Sequence, residues 1–189
     1  MRAIMPLTHQ EISLRSVRRR DIRTLERLLV TDREWLRPWE ASTPGIRYPL
    51  DVRFMVGSLI AQARNDSGLG LIIEYQGQIV GQINVAGIQR GSLSSATIGY
   101  WISKKVAGNN ITPIAVALTI DYLFLEAKLH RVEIDIRPEN TPSLRVVEKL
   151  GLREEGLKKR FIHIDGDWRD HRIFAITSEE ISGSLLNRL

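Results

Sequence analysis

The chain has 189 residues, enough for one domain (1–189) with a full core, and no cysteine, which excludes a disulfide framework, Cys-ligated zinc and a thiol nucleophile. A net charge of +5 and a pI near 9.8 suit a polyanionic partner, such as a nucleotide cofactor, an acidic substrate or RNA, and serve solubility equally well. The opening MRAIMPLTHQEIS carries no apolar run of signal-peptide length and no later segment reads as a membrane span, so the expectation is a soluble, cytoplasmic protein without a membrane partner.

In chain order, Ile12 to Val17 reads as a strand, and Asp21 as the cap of a helix carrying Ile22, Leu25, Leu28 and Leu29 at helical spacing. The run Arg18-Arg19-Arg20 between them suits either a solvated edge or phosphate contact. In WLRPWE, Trp35 and Trp39 lie four apart and would share a face on a helical turn, as core packing or as the wall of a substrate cleft. Asp51 starts a second helix, with Phe54, Met55, Leu59 and Ile60 expected inward.

Strand pattern follows from Leu69. LGLIIEY and QIVGQINVAGI flank Gln76-Gly77 as a hairpin, and a turn at Arg90-Gly91-Ser92 leads into TIGYWIS. The loop KKVAGNN then runs into an almost wholly apolar helix, with Thr112-Pro113 expected at its start. The first N–H groups of a helix point outward together and the macrodipole adds positive charge there, so Gly108, Asn109 and Asn110 before it form a candidate anion cradle. A buried crossover whose loop binds nothing has the same pattern.

Arg131 to Arg137 alternates Val132, Ile134 and Ile136 with Glu133 and Asp135, a strand that should lie parallel beside TIGYWIS after a right-handed crossover. In PENTPSLRVVEKLG, Thr141 is expected to cap a helix with Pro142 at its first position, Leu144, Val147 and Leu150 on one face, and Gly151 closing it. Asp165-Gly166-Asp167 joins a final hairpin, and the tail SEEISGSLLNRL suits one more short helix.

This order, with WLRPWE, GYWISKKVAGNNITPIAVALTIDYLF, HRVEIDIRPENTPSLRVVEKLGLREEG and FIHIDGDWRDHRIFAI, resembles the Gcn5-related N-acetyltransferase (GNAT) superfamily over nearly the whole chain, and within it the RimJ/RimL-type ribosomal-protein-alanine acetyltransferases. The resemblance implies an α/β (α+β) fold with a mixed central sheet, antiparallel N-terminal strands, splayed parallel strands 4 and 5, helices on both faces and a C-terminal hairpin. It also implies acetyl-CoA as cosubstrate, no metal, an acceptor amine at a protein N-terminus (possibly of a ribosomal protein), no direct nucleic-acid readout, and a monomer or homodimer. An acetyltransferase of a small amine such as an antibiotic, polyamine or amino acid, and a non-catalytic acetyl-CoA-binding module, are the competing functions.

By the same resemblance, the backbone of Tyr100, Trp101 and Ile102 binds the pantetheine arm and polarises the thioester carbonyl, and the loop Ala107, Gly108, Asn109, Asn110, Ile111, Thr112 grips the pyrophosphate. The family's loop reads Gln/Arg, any, any, Gly, any, Gly/Ala. Ala107, Asn110 and Thr112 therefore stand where the family has a polar residue, a glycine and a glycine or alanine. Asn140 and Ser143 match the family's Asn-x-x-Ser, Asn contacting cofactor and Ser protonating the departing sulfur, although Ser143 also suits a helix-start hydrogen bond. For the base, His163 and Glu133 are the candidates, an imidazole titrating near neutrality and a carboxylate acting through water. Trp35, Trp39 and the final hairpin are expected on the acceptor side.

Overall fold

The computed structural model describes residues 4–45 and 51–189. A short hairpin, β1 (Leu7–His9) and β2 (Ile12–Ser16), is followed by α1 (Ile22–Thr31), α2 (Arg33–Leu36), a 3-10 turn at Arg37–Trp39, and α3 (Val52–Arg64). The antiparallel strands β3 (Gly68–Tyr75), β4 (Gln78–Gln89) and β5 (Ser95–Ile102) lead into α4 (Ile111–Leu125), then β6 (Arg131–Ile136), α5 (Thr141–Lys149), β7 (Arg153–Ile164) and β8 (Asp167–Thr177). All eight strands join one sheet in the order β1-β2-β3-β4-β5-β6-β8-β7. Because β1 precedes the expected first strand, the splayed pair is β5 and β6 here.

That pair decides what the fold is for. β5 and β6 run parallel and pair only at Ser95–Arg131, Ala96–Val132 and Thr97–Glu133. Beyond Thr97 they part, β5 remaining on β4 through Ile102 and β6 on β8 through Ile136. A parallel sheet loses its ladder only where something else takes over the exposed edge groups.

Helices cover both faces. Alternate residues Ala96 and Ile98 of β5 and Val132, Ile134 and Ile136 of β6 pack into a core with α4 and α5, while Trp101 packs on the other face with Leu25, Leu29, Val56 and Leu59 of α1 and α3. Helix α4 is buried almost all round, from Ile111 and Ile114 to Leu123 and Phe124. At about 1.5–3 kcal/mol per fully buried large aliphatic side chain, this is a fixed platform. Its one carboxylate, Asp121, accepts from Leu185 N–H at 2.9 Å and from the Ser184 hydroxyl, so the tail is bound to the central helix.

Several local expectations need correction. Phe54 is 75% exposed: Leu59 is buried as expected and Met55 and Ile60 pack beside it, but the buried stripe of α3 runs through Val52, Val56 and Leu59 and leaves position 54 on the outer face. Asp21 does not cap α1 with its side chain: the carboxylate accepts from Arg18 N–H at 2.8 Å and from Arg15 Nη1 and Nη2, closing a 3-10 turn before the helix. Asn140, not Thr141, caps α5, accepting from Ser143 N–H at 3.2 Å, because its amide oxygen reaches the third residue on. Helix α4 begins at Ile111, one residue before Thr112-Pro113, and the tail forms two 3-10 turns, Ser178–Glu180 and Leu185–Arg188, instead of one helix.

Candidate active site

The cradle loop starts with a 3-10 turn at Lys104–Val106, in which Ala107 N–H donates to Lys104 O at 3.3 Å, so Ala107's donor is used internally. Beyond it, the N–H groups of Gly108, Asn109, Asn110, Ile111 and Thr112 make no hydrogen bond to any described residue, and no side chain caps α4. Gly108 (φ 89°) and Asn110 (φ 59°) both take left-handed backbone, which turns these donors toward one point. Asn110 thus takes a conformation for which glycine is the usual residue, at the modest strain asparagine tolerates in this region. Lys149 Nζ, from the last turn of α5, donates to Asn110 Oδ1 at 2.7 Å and brings a cation to the rim. Converging free donors, a helix N-terminus and a cation suit a diphosphate.

From this cradle the gap between β5 and β6 leads through the sheet. On the α4 side it is spanned by a hydroxyl pair: Tyr100 Oη of β5 and Ser143 Oγ of α5 lie 2.7 Å apart. Burial pushes the Tyr100 phenol well above its ordinary range, outweighing the bond to Ser143, so the proton stays on this oxygen. Asn140 holds the start of α5, fixing where Ser143 stands.

The opposite face is spanned by residues 35–39. Trp35 Nε1 donates to Ile102 O at 3.1 Å, tying α2 to the end of β5. Arg137, just past β6, donates from Nη1 to Pro38 O at 2.7 Å and lies 5.3 Å from the Trp39 ring centroid. The two tryptophans do not share one helical face, since the chain changes from α to 3-10 geometry between them; each lands on a different arm of the split. This segment also reaches the tip of the last hairpin, through Arg37–Asp165 at 3.7 Å and a bridge from Ala41 to Ile164.

The two candidate bases part company. Glu133 stands at the apex, opposite Thr97 in the last paired position, with Arg131 at 2.8 Å and Lys158 at 3.8 Å. Arg131 also holds Glu155, whose carboxyl its guanidinium pulls down to about 2 with help from Arg153. His163 sits at the hairpin tip, its Nδ1 2.9 Å from Ser42 Oγ and its ring edge-on to Trp168. The structure thus brings Tyr100, Ser143, Asn140, Glu133 and the 35–39 segment around one gap and gives His163 partners outside it. Sequence reasoning missed the Tyr100 hydroxyl, Arg137 and Lys149. A tyrosine inside the apolar strand TIGYWIS was the available signal, since a buried phenol needs a partner.

No three His, Asp or Glu side chains among the described residues gather to hold a metal ion, and no helix there is long and apolar enough to cross a membrane. A protein-family model described as an acetyltransferase (GNAT) domain matches residues 11–153. The [ribosomal protein uS5]-alanine N-acetyltransferase of Escherichia coli is 29% identical over 92% of this chain and 91% of its own. A probable N-acetyltransferase of Bacillus subtilis, YjcK, is 38% identical over 59% of this chain and 61% of its own. Among solved structures, Mycobacterium smegmatis RimJ in complex with CoA-disulfide superposes with a TM-score of 0.89 at 38% identity, over 100% of this chain and 93% of that one. With the split pair of strands and the helix-start cradle in place, these matches assign the fold and the family together: this chain belongs to the GNAT acetyltransferase family.

Proposed function

We propose that the protein is an acetyl-CoA-dependent N-acetyltransferase that acetylates the α-amine of a protein N-terminus, most specifically of a ribosomal protein, by direct transfer in a ternary complex. The observation that carries this reading is the gap between β5 and β6, with free helix-start donors at one mouth and the tryptophan-bearing 35–39 segment across the other. Acetyl-CoA supplies an activated acetyl thioester. The RimJ complex with CoA-disulfide and the uS5-alanine specificity of the Escherichia coli relative support both halves of the reading.

Within it, Gly108 to Thr112 and Lys149 hold the diphosphate, and the edges of Tyr100 to Ile102 and of Ile134 to Ile136 that the split leaves unpaired, apart from the Ile102 carbonyl taken by Trp35, hold the arm and polarise the carbonyl. Ser143, with Tyr100 behind it, presents an O–H to the departing sulfur. The α-amine has an ordinary pKa near 8 (about 7.7–8.0), so at neutral pH most of it must lose a proton before attack. Glu133, at the apex of the gap, takes that proton through water, while His163 orders the hairpin tip through Ser42.

A polyamine or aminoglycoside acceptor would call for unpaired carboxylates in the cleft. Glu133 and Asp135 instead lie against Arg131 and Lys158, which favours a peptide. The deciding experiment incubates the protein with acetyl-CoA and three acceptors: a peptide carrying the N-terminal sequence of a ribosomal protein, spermidine, and an aminoglycoside. Acetylation of the peptide's α-amine, located by tandem mass spectrometry, is expected; acetylation of the small amines alone refutes the acceptor, and coenzyme A binding without transfer to any refutes the enzyme.

A further inference from the structure

Gly99 lies in the middle of β5 without a reason in the fold. A glycine inside a strand destabilises it by roughly 0.5–1 kcal/mol relative to alanine, so its presence usually marks a bulge or a close approach. Such reasons exist for its neighbours in the sheet: a Cβ on Gly68 would stand 2.5 Å from Gln62 Oε1, on Gly70 3.0 Å from Leu59, on Gly81 2.4 Å from Trp101 O, and Gly87 and Gly156 have positive φ. Gly99 has neither. Its φ is not positive, it is exposed, and apart from its two chain neighbours no described residue has a heavy atom within 4 Å of where its Cβ would be. No described residue takes up the room beside Gly99.

Side-chain alternation says on which side of the sheet that room lies. Ile98 faces the core of α4 and Trp101 faces the helices α1 and α3, so Gly99 shares Trp101's side, away from the cradle. It also lies two residues past the last β5–β6 pair, at the edge of the gap. On the reading proposed above, the cofactor arm comes from the α4 side of the gap and leaves the Gly99 face to the acceptor.

Two amides flank the same spot on β4. Asn84 is the cross-strand partner of Gly99, and Gln82 that of Trp101. Gln82 is fully buried; its Nε2 donates to Asn84 Oδ1, while its own Oε1 is buried without a hydrogen bond to any described residue. An orphaned buried carbonyl costs about 1–3 kcal/mol, so this amide pair gives the core no net stability. What it does is fix Asn84: with Oδ1 occupied by Gln82, the half-buried Asn84 keeps Nδ2, which has no partner among the described residues, as a free donor beside Gly99.

We infer that Gly99, Asn84 and Gln82 form a subsite for the first peptide unit of the acceptor: the bare Cα of Gly99 makes room for the terminal residue's main chain, Asn84 Nδ2 donates to its carbonyl oxygen, and Gln82 orients Asn84. This rests on the peptide-acceptor reading above and narrows it chemically. The site takes an amine with a carbonyl on the adjacent carbon, the α-aminoacyl group of a polypeptide, and gives a plain alkylamine nothing to bind. Asn84 is then a binding residue and Gln82 a positioning one.

The test measures kcat and KM with acetyl-CoA for a peptide beginning with alanine and for propylamine, with coenzyme A affinity followed by calorimetry. Gly99→Val and Asn84→Leu are expected to lower kcat/KM for the peptide at least tenfold, chiefly through KM, with coenzyme A affinity within twofold of wild type. For propylamine, Asn84→Leu should change kcat/KM less than twofold. Gln82→Met, close in volume to glutamine, should lower the peptide value and spare the propylamine value, a discrimination that a merely structural role would not produce. Gly99→Ala serves as the milder probe if valine disturbs folding. A parallel fall in coenzyme A affinity for Gly99→Val assigns the room to the cofactor and overturns the inference, as do peptide constants unchanged in both Gly99→Val and Asn84→Leu. A wild-type protein that acetylates propylamine but not the peptide, or neither, brings down the peptide reading itself.

Discussion

Arg137 lies against Trp39, its guanidinium carbon 5.3 Å from the ring centroid, and the same side chain donates to Pro38 O at 2.7 Å. These contacts fix the 35–39 segment to the end of β6, as Trp35 fixes it to β5. A cation–π contact of this kind and one charged hydrogen bond are worth roughly 1–3 kcal/mol together. Arg137→Met keeps most of the stem's packing and removes both. The expected result is a rise of about tenfold in the acceptor's KM, the equivalent of 1.4 kcal/mol, with coenzyme A affinity unchanged by calorimetry. An unchanged KM would show that the segment holds its place without Arg137.

Ser143 and Tyr100 should behave as a unit. Ser143→Ala is expected to lower kcat with little change in coenzyme A affinity, and to deprive the buried phenol of its 2.7 Å partner at a cost of order 1 kcal/mol in stability. Removing both hydroxyls, with Tyr100→Phe added, should leave kcat near that of the single variant and recover part of the melting temperature. Thermal melts and steady-state rates of the three variants check it; independent, additive losses would separate the two hydroxyls.

Asn110 holds left-handed backbone at the start of α4. Asn110→Gly relieves that strain but loses the bond from Lys149, so coenzyme A affinity should stay within a few fold. Asn110→Val places a β-branched residue at φ 59°, at a cost of roughly 1–3 kcal/mol, and should weaken coenzyme A binding at least tenfold as the donors turn away. Calorimetric titration of the two variants distinguishes backbone shape from side-chain chemistry at this position.

If Glu133 takes the proton, its importance depends on pH in a fixed direction. Below the α-amine's ordinary pKa of about 8 the acceptor is mostly ammonium and needs a base; above it the amine is already neutral. The ratio of wild-type to Glu133→Gln rates should therefore be largest near pH 6.5 (about 1.5 units below that pKa) and shrink as pH rises past 8. His163→Gln should leave the profile's shape unchanged. A flat ratio for Glu133→Gln removes it from proton transfer.

Much of the scaffold was legible because its signals are periodic. TIGYWIS, RVEIDI and the apolar run of α4 show which faces are buried, and Gln76-Gly77 and Asp165-Gly166 show their turns. What was not legible lies where periodicity is silent. The three-residue β1 has too few residues for any pattern, and Phe54 was placed inward because its residue type outweighed the phase set by Val52, Val56 and Leu59. Donor and acceptor choices such as Asn140 over Thr141 depend on ångström-scale reach. At the site, the turn before α4 was readable from Gly108-Asn109-Asn110, whereas Arg137 on Trp39 and Asn84 beside Gly99 join residues 98 and 15 positions apart, and only the folded sheet brings them together.

The carboxylate of Asp121 has a bearing on how the enzyme is made. Its partners, Ser184 and Leu185, are translated 63 and 64 residues after it, so a nascent chain that has emerged only through α5 still carries an unmet charge on its most apolar helix. The tail therefore joins the central helix last in biogenesis, and ribosome-bound intermediates should gain protease resistance at α4 only once the tail has cleared the exit tunnel.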